Sequence, residues 1–387
     1  MSRLVLIVVT AALAVLVLAS PASAQTVSCG QVLTAGVRLD NDLVDCPGNG
    51  LVIGAAGITV DLNGHRVDGL SRSGPCVPDC LQGRGIDNTA GYDRVSIRNG
   101  TVTQFERGVI LVGAERNVLA GLTVGASVYG EVFSPVTLIK SDHNRILDSR
   151  MGAGQPGLLL FLSDHNTIAR STMHGGITLR EGDGVALVQA DYNRVVDSQA
   201  TGEGFGAWIE DAVGNQLARG VIGGYHGNIL RNVSRTRVTG NELTGRGATS
   251  VSGESNLVAD NRLTNEGGLS VEGDYNRIVG NTKFGGQSGI EVGAGHGILV
   301  RLNRVEGVVP GISVAAGATA ARVVDNTANG NYSDGIRVYA PGALIARNTA
   351  NDNEDLGILA VSGVIDGGGN RASGNGDPLQ CVNVFCQ

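Results

Sequence analysis

The run GLSVEGDYNRIVGN, residues 268–281, decides the fold. It opens on a glycine and alternates apolar and polar side chains through Leu269, Ser270, Val271 and Glu272. It then turns at Gly273-Asp274-Tyr275-Asn276 and resumes with Ile278. The string returns as GIEVGAGHGILVRLN from Gly289, GISVAAGATAARVVDN from Gly311, GIRVYAPGALIARN from Gly335 and GILAVSGVIDGGGN from Gly357. The starts are spaced by 21, 22, 24 and 22 residues. Upstream, PVTLIKSDHNRILDS from Pro135, GLLLFLSDHNTIARS from Gly157, GVALVQADYNRVVDS from Gly184 and GAWIEDAVGNQLARG from Gly206 follow the same template.

Short runs of period two are a strand signal, and the glycines supply turn conformations that other residues reach only at a cost. A unit this short cannot bury its own apolar face, so it must stack on its neighbours, each strand pairing in parallel with its equivalent about 4.8 Å away. Pairs such as Val185/Leu187, Leu269/Val271, Ile290/Val292 and Ile336/Val338 point inward and form a narrow core. The expected fold is therefore all-β: a single-stranded solenoid of about 14 rungs over residues 51–378. An N-terminal cap over 25–50 precedes it, and a tail over 379–387 follows.

The chain opens with Arg3, an apolar run from Leu4 to Leu18, and the triplet Ala22-Ser23-Ala24. This pattern is a secretory leader over 1–24 with an A-x-A cleavage site. The rival reading, a retained membrane anchor, fits a run that is short for a span. A mature chain from Gln25 has no other long apolar stretch, so no stable membrane insertion is expected. The six cysteines suit an oxidising compartment. Local pairing gives Cys29–Cys46, Cys76–Cys80 and Cys381–Cys386, and the alternative of a zinc site lacks a nearby histidine. The net charge of −7 is spread without blocks, which argues against nucleic acid as a partner.

Asn144, Asn166, Asn193, Asn215, Asn256 and Asn276 recur at one turn and are expected to form a hydrogen-bonded ladder. The preceding Asp142-His143, Asp164-His165, Asp191-Tyr192 and Asp274-Tyr275 serve local backbone bonding or, alternatively, a metal. With these rungs, GITVDLNGHRVDG (Gly57–Gly69) and the cysteine-tied ends, the mature chain resembles the pectin-lyase-like superfamily of right-handed parallel β-helix proteins. The likeness is greatest to the group that holds the NosD proteins and many exported β-helix proteins. The resemblance implies a secreted or periplasmic protein that takes a polysaccharide as its partner. It also implies lyase, hydrolase or epimerase chemistry, or binding alone, because the fold hosts all of these. No cofactor is called for, and calcium is the one ion the resemblance leaves open. Gly295-His296-Gly297 matches a short signature of pectin-hydrolysing relatives, but it sits at a turn and lacks their paired aspartates. The paired polar residues Asp61 and His65 likewise fall at a turn.

In such proteins a polysaccharide lies along an outward sheet face. The outward residues begin apolar at Ile110, Val112, Ile139, Leu159, Phe161 and Val188, which marks something docked there, such as the excursion Ser71–Arg84. They then change to Trp208, Glu210, Asp211, Glu272, Glu291, Arg337 and Tyr339. A tryptophan beside carboxylates can hold a sugar ring. Glu210, Asp211, Glu272 and Glu291 are thus the candidate acid and base groups, and Trp208, Arg337 and Tyr339 the candidate binding groups. His174, Arg180 and Asp183, on a glycine-rich insert, are second-rank candidates. The competing reading is a structural or adhesive surface solenoid whose outer charges are merely solvated. A metal-handling protein is a third, with only three Met to supply soft ligands.

Overall fold

The computed structural model describes residues 24–70, 83–126, 134–176 and 182–387. The expected leader up to Ser23, the Cys76–Cys80 bridge and Arg180 lie outside them. The chain coils through three faces separated by three corners, and the strands of each face pair in parallel with those of the rungs before and after; in two early rungs a single strand, Ser96–Phe105 or Val118–Ala126, spans faces 2 and 3. The first stack of strands, face 1, holds sixteen strands from Gln31–Leu33 to Cys381–Val382. Face 2 follows in each rung, as in Arg145–Leu147, Thr167–Ala169 and Arg194–Val196. Face 3 closes the rung, as in Thr172–Gly175, Gln199–Gly202 and Val221–Gly224. Gln31–Leu33 already stacks on Leu51–Ile53, so residues ahead of Leu51 share the helical stack.

Register follows the apolar alternation. Val185 pairs with Leu158 on one side and Ala207 on the other, and Leu187 with Leu160 and Ile209, all fully buried. A slip of one residue would turn this whole row outward, so burial fixes the pairing. The inward rows of the three faces merge into one continuous core from Val27 to Ala360.

Corner 2 turns the chain with a single left-handed residue and corner 1 with two, the first of them Lys140, Leu162 or Gln189. His143, His165 and Tyr192 have φ of 59°, 58° and 55° at corner 1, and Asp148, Arg170 and Asp197 have 50°, 50° and 51° at corner 2. None of the non-glycine residues with positive φ among those described is β-branched, the class for which this conformation costs most. Buried Asn144, Asn166 and Asn193 follow at corner 1, and buried Ser149, Ser171 and Ser198 at corner 2. At corner 1, Asn166 Oδ1 accepts the N–H of Asn144, and Asn193 Oδ1 that of Asn166. At corner 2, Ser149, Ser171 and Ser198 begin a second ladder, which Asn241, Asn261, Asn281, Asn303, Asn326, Asn348 and Asn370 complete. A third, at corner 3, joins Asn331, Asn353 and Asn375 to Gln380 of the tail. The corners would otherwise strand backbone N–H groups between rungs, and the amides satisfy them.

The ends are tied by disulfides. Cys29–Cys46 and Cys381–Cys386 are formed as the local pairing anticipates. Among the described residues no helix is long and apolar enough to cross a membrane.

Candidate functional site

On face 1, Ala207 and Ile209 point into the core and send Trp208 and Glu210 outward. Trp208 is half-buried, and its Nε1 donates to Glu210 Oε2 at 3.2 Å. The other carboxylate oxygen faces Arg231 of the next rung, 3.3 Å away, and the Arg231 guanidinium carbon stands 5.6 Å from the Trp208 ring centroid. One ion pair thus holds a cation beside the indole.

Aromatic rings extend this cluster along corner 3. Phe205 meets Trp208 edge-on at 5.4 Å and His226 at 5.8 Å, and Tyr225 lies edge-on to His226 at 5.1 Å. Arg246, one rung further, lies 5.1 Å from the Tyr225 centroid. Glycines make this corner. A Cβ at Gly206 would fall 2.2 Å from the backbone of Gly223, and one at Gly247 would fall 2.0 Å from the His226 carbonyl. Backbone therefore packs directly on backbone, and the rings between the glycines project to the rim. Trp208 and Glu210 are candidates that the sequence also offers; Phe205, Tyr225, His226, Arg231 and Arg246 are not. Their only local signal is an aromatic residue flanked by glycine, in Gly204-Phe205-Gly206 and Gly224-Tyr225-His226-Gly227.

The other candidates lie elsewhere. Asp211, at the corner 1 end of the Trp208 strand with φ 52°, accepts Asn232 Nδ2 at 2.7 Å. In register, Trp208 is followed by Ile229, Ser250, Ser270 and then Glu291. Four strand spacings, about 19 Å, separate the two. The strands at Asn228–Ser234 and Thr249–Glu254 fill that gap, where no rung was read from the sequence. Glu272 and Glu291 sit on neighbouring strands, both exposed. Arg337 lies two strands beyond Glu291 and donates to buried Asp334 and to Ser333, while Tyr339 is 40% exposed. The residues therefore form an aromatic group around Trp208, a carboxylate pair, and an anchored Arg337 near Tyr339. On the insert, His174 Nδ1 lies 3.1 Å from Thr201 Oγ1, and Asp183 accepts the N–H of Phe205, which holds the rim in place.

Of the early outward row, Ile110 is buried, Val112, Ile139, Leu159 and Val188 are half-buried, and Phe161 is 36% exposed. The Asp residues of corner 1 are spent on backbone, since Asp142 accepts the N–H of Asp164, and Asp164 that of Asp191. His143 and His165 stack at 5.0 Å, and Tyr192 continues the column. Asp61 is bound to Asn63 and Arg98, and His65 to Asp42, so the two do not act on each other. His296 bonds Thr319 and stands in the turn column below Tyr275. Among the described residues, no three His, Cys, Asp or Glu side chains gather as a metal site.

Residues 219–375 match the family model described as "Right handed beta helix region". No curated protein sequence matches the chain. Among solved structures, the periplasmic alginate epimerase AlgG aligns at 14% identity over 77% of this chain and 78% of its own, with a TM-score of 0.40. The tailspike protein of E. coli bacteriophage HK620, solved with a hexasaccharide, aligns at 12% identity over 92% and 73%, with a TM-score of 0.45. The pectate lyase Pel9A aligns at 15% identity over 73% and 72%, with a TM-score of 0.29. With its parallel stacks and this match, the chain folds as a right-handed parallel β-helix.

Proposed function

We propose that the chain is an exported protein that binds an extracellular polysaccharide along the rim of face 1. The observation that carries this reading is the aromatic band Trp208–Phe205–His226–Tyr225, flanked by Arg231 and Arg246. Rings and guanidinium groups left at the surface, on a rigid backbone, can take the apolar faces of sugars and their hydroxyl or acidic groups. A rim built on stacked rungs presents these groups in line, which suits a chain ligand. The two disulfides and the leader-like N-terminus support an oxidising compartment outside the cytoplasm.

Catalysis is a second reading, favoured by the placement of Glu272 and Glu291 on adjacent strands, where two carboxylates can share acid and base roles. Lyase, hydrolase and epimerase outcomes all fall within it.

The test is a binding screen of the chain from Gln25 to Gln387 against neutral and uronate-containing polysaccharides, with and without calcium, read by the fluorescence of its single tryptophan. Trp208→Ala, read by calorimetry, should weaken a bound glycan at least about tenfold, or ~1.4 kcal/mol. Equal affinity in that variant, or no glycan bound by the wild type, would overturn the reading. Turnover lost in Glu272→Gln or Glu291→Gln with binding retained would assign the chemistry to that pair.

A further inference from the structure

Face 2 carries a charge pattern that the linear sequence hides. The first residue of each of its strands points outward, and in one in-register column Arg145, Arg194, Arg237, Arg277 and Arg322 fall on alternate rungs. Thr167, Gln216, Leu257 and Leu299 hold the rungs between. All five arginines are exposed. At two strand spacings each, the guanidinium groups recur about every 9.6 Å, and the row is about 38 Å long.

These charges are not spent within the molecule. Among the described residues no carboxylate pairs with any of the five, and Arg194 donates only to the neutral Gln216, at 3.2 Å. Three aspartates along corner 2 are engaged by other arginines. Asp148 is bound by Arg170, Asp197 by Arg219, and Asp325 by both Arg301 and Arg347. Beside the arginine column runs a low apolar floor in which Ala169, Val196 and Ala218 pack with Leu147.

We propose that the outer surface of face 2 is a second binding surface, separate from the rim of face 1, for a linear polyanion carrying one acidic group on every second sugar. The guanidinium fork takes a carboxylate or sulfate group with two hydrogen bonds. The spacing selects among polyanions. Duplex DNA offers a charge about every 1.7 Å of its axis, far denser than one per 9.6 Å, and the net charge of −7 repels so dense an anion. A sugar ring advances an extended polysaccharide by about one strand spacing, so alternate acidic sugars meet alternate rungs while the uncharged ones cross the threonine, glutamine and leucine positions.

This inference does not rest on the rim. Its test uses the chain from Gln25 to Gln387 at low ionic strength with four probes: hyaluronan, acidic on alternate sugars; polygalacturonate, acidic on every sugar; uncharged dextran; and duplex DNA. Hyaluronan should bind most tightly per acidic group and be released by salt, as exposed charge pairs are. The triple variant Arg194→Gln/Arg237→Gln/Arg277→Gln, whose side chains support no packing, should lose at least about tenfold in affinity with an unchanged melting temperature. Arg150→Gln/Arg262→Gln/Arg371→Gln removes the same charge from face 3 and should keep the affinity. Equal loss in both triple variants, preference for DNA or the homopolymer, or no polyanion bound by the wild type would overturn the proposal.

Discussion

At the scale of single residues, the buried amides do most to hold rung on rung. Asn303 accepts the N–H of Asn281, donates to the Ile278 carbonyl at 2.9 Å and donates to Asn326. Asn303→Ala leaves a buried donor and a buried acceptor unpaired, at about 1–3 kcal/mol each. Urea denaturation should show a loss of about 2–4 kcal/mol, and Asn375→Ala, at the solvent-accessible end of its ladder, should show less. Lys283 makes a different case. It points into the core between Leu263 and Val305, and its ammonium donates to the carbonyls of Asn265 and Gly285. Burial lowers its pKa from 10.5 to about 8. Between those values the unfolded chain holds the proton that the folded chain has shed, so stability rises with pH across that window. Denaturation of wild type and Lys283→Met between pH 7 and 11 should show the wild type gaining on the variant above pH 8, and parallel curves would refute it.

At the scale of elements, the corners carry the specificity. Strands of three or four residues have little stability alone, and a rung is held by its two neighbours. The terminal rungs have one neighbour each, so the disulfides and the tail matter most there. Cys29–Cys46 closes 17 residues, a loop for which a bridge is worth about 3 kcal/mol. Reduction should therefore speed amide hydrogen exchange in Gln31–Leu33 and Val37–Leu39 while leaving Arg194–Val196 protected. Uniform loss of protection would mean that the solenoid unfolds as one unit. The repeat strings announced the strands, but only the first asparagine ladder was read in advance. Asn281, Asn303 and Asn326 each close a quoted string, and the turn they make between faces 2 and 3 shows as a fixed residue type without stating what it bonds to.

At the scale of the molecule, function depends on what stacking brings into line. The parallel solenoid, its inward rows and its disulfide-tied ends were written in the sequence, because period two and a repeat of about 22 residues are local patterns and burial admits one register. The aromatic rim and the arginine column were not. From Arg84 onward axial neighbours lie 20 to 27 residues apart in the chain, as the ladder bonds from Thr236 to Asn256 and from Asn117 to Asn144 show. One unrecognised rung displaces every later residue by a strand spacing. That is why Glu272 and Glu291, read as close to Trp208, stand three to four strands away, and why arginines scattered in the sequence form a straight row. Sequence alone determined which side chains face in and which face out; tertiary structure decided which outward side chains meet, because that depends on the length of every rung between them.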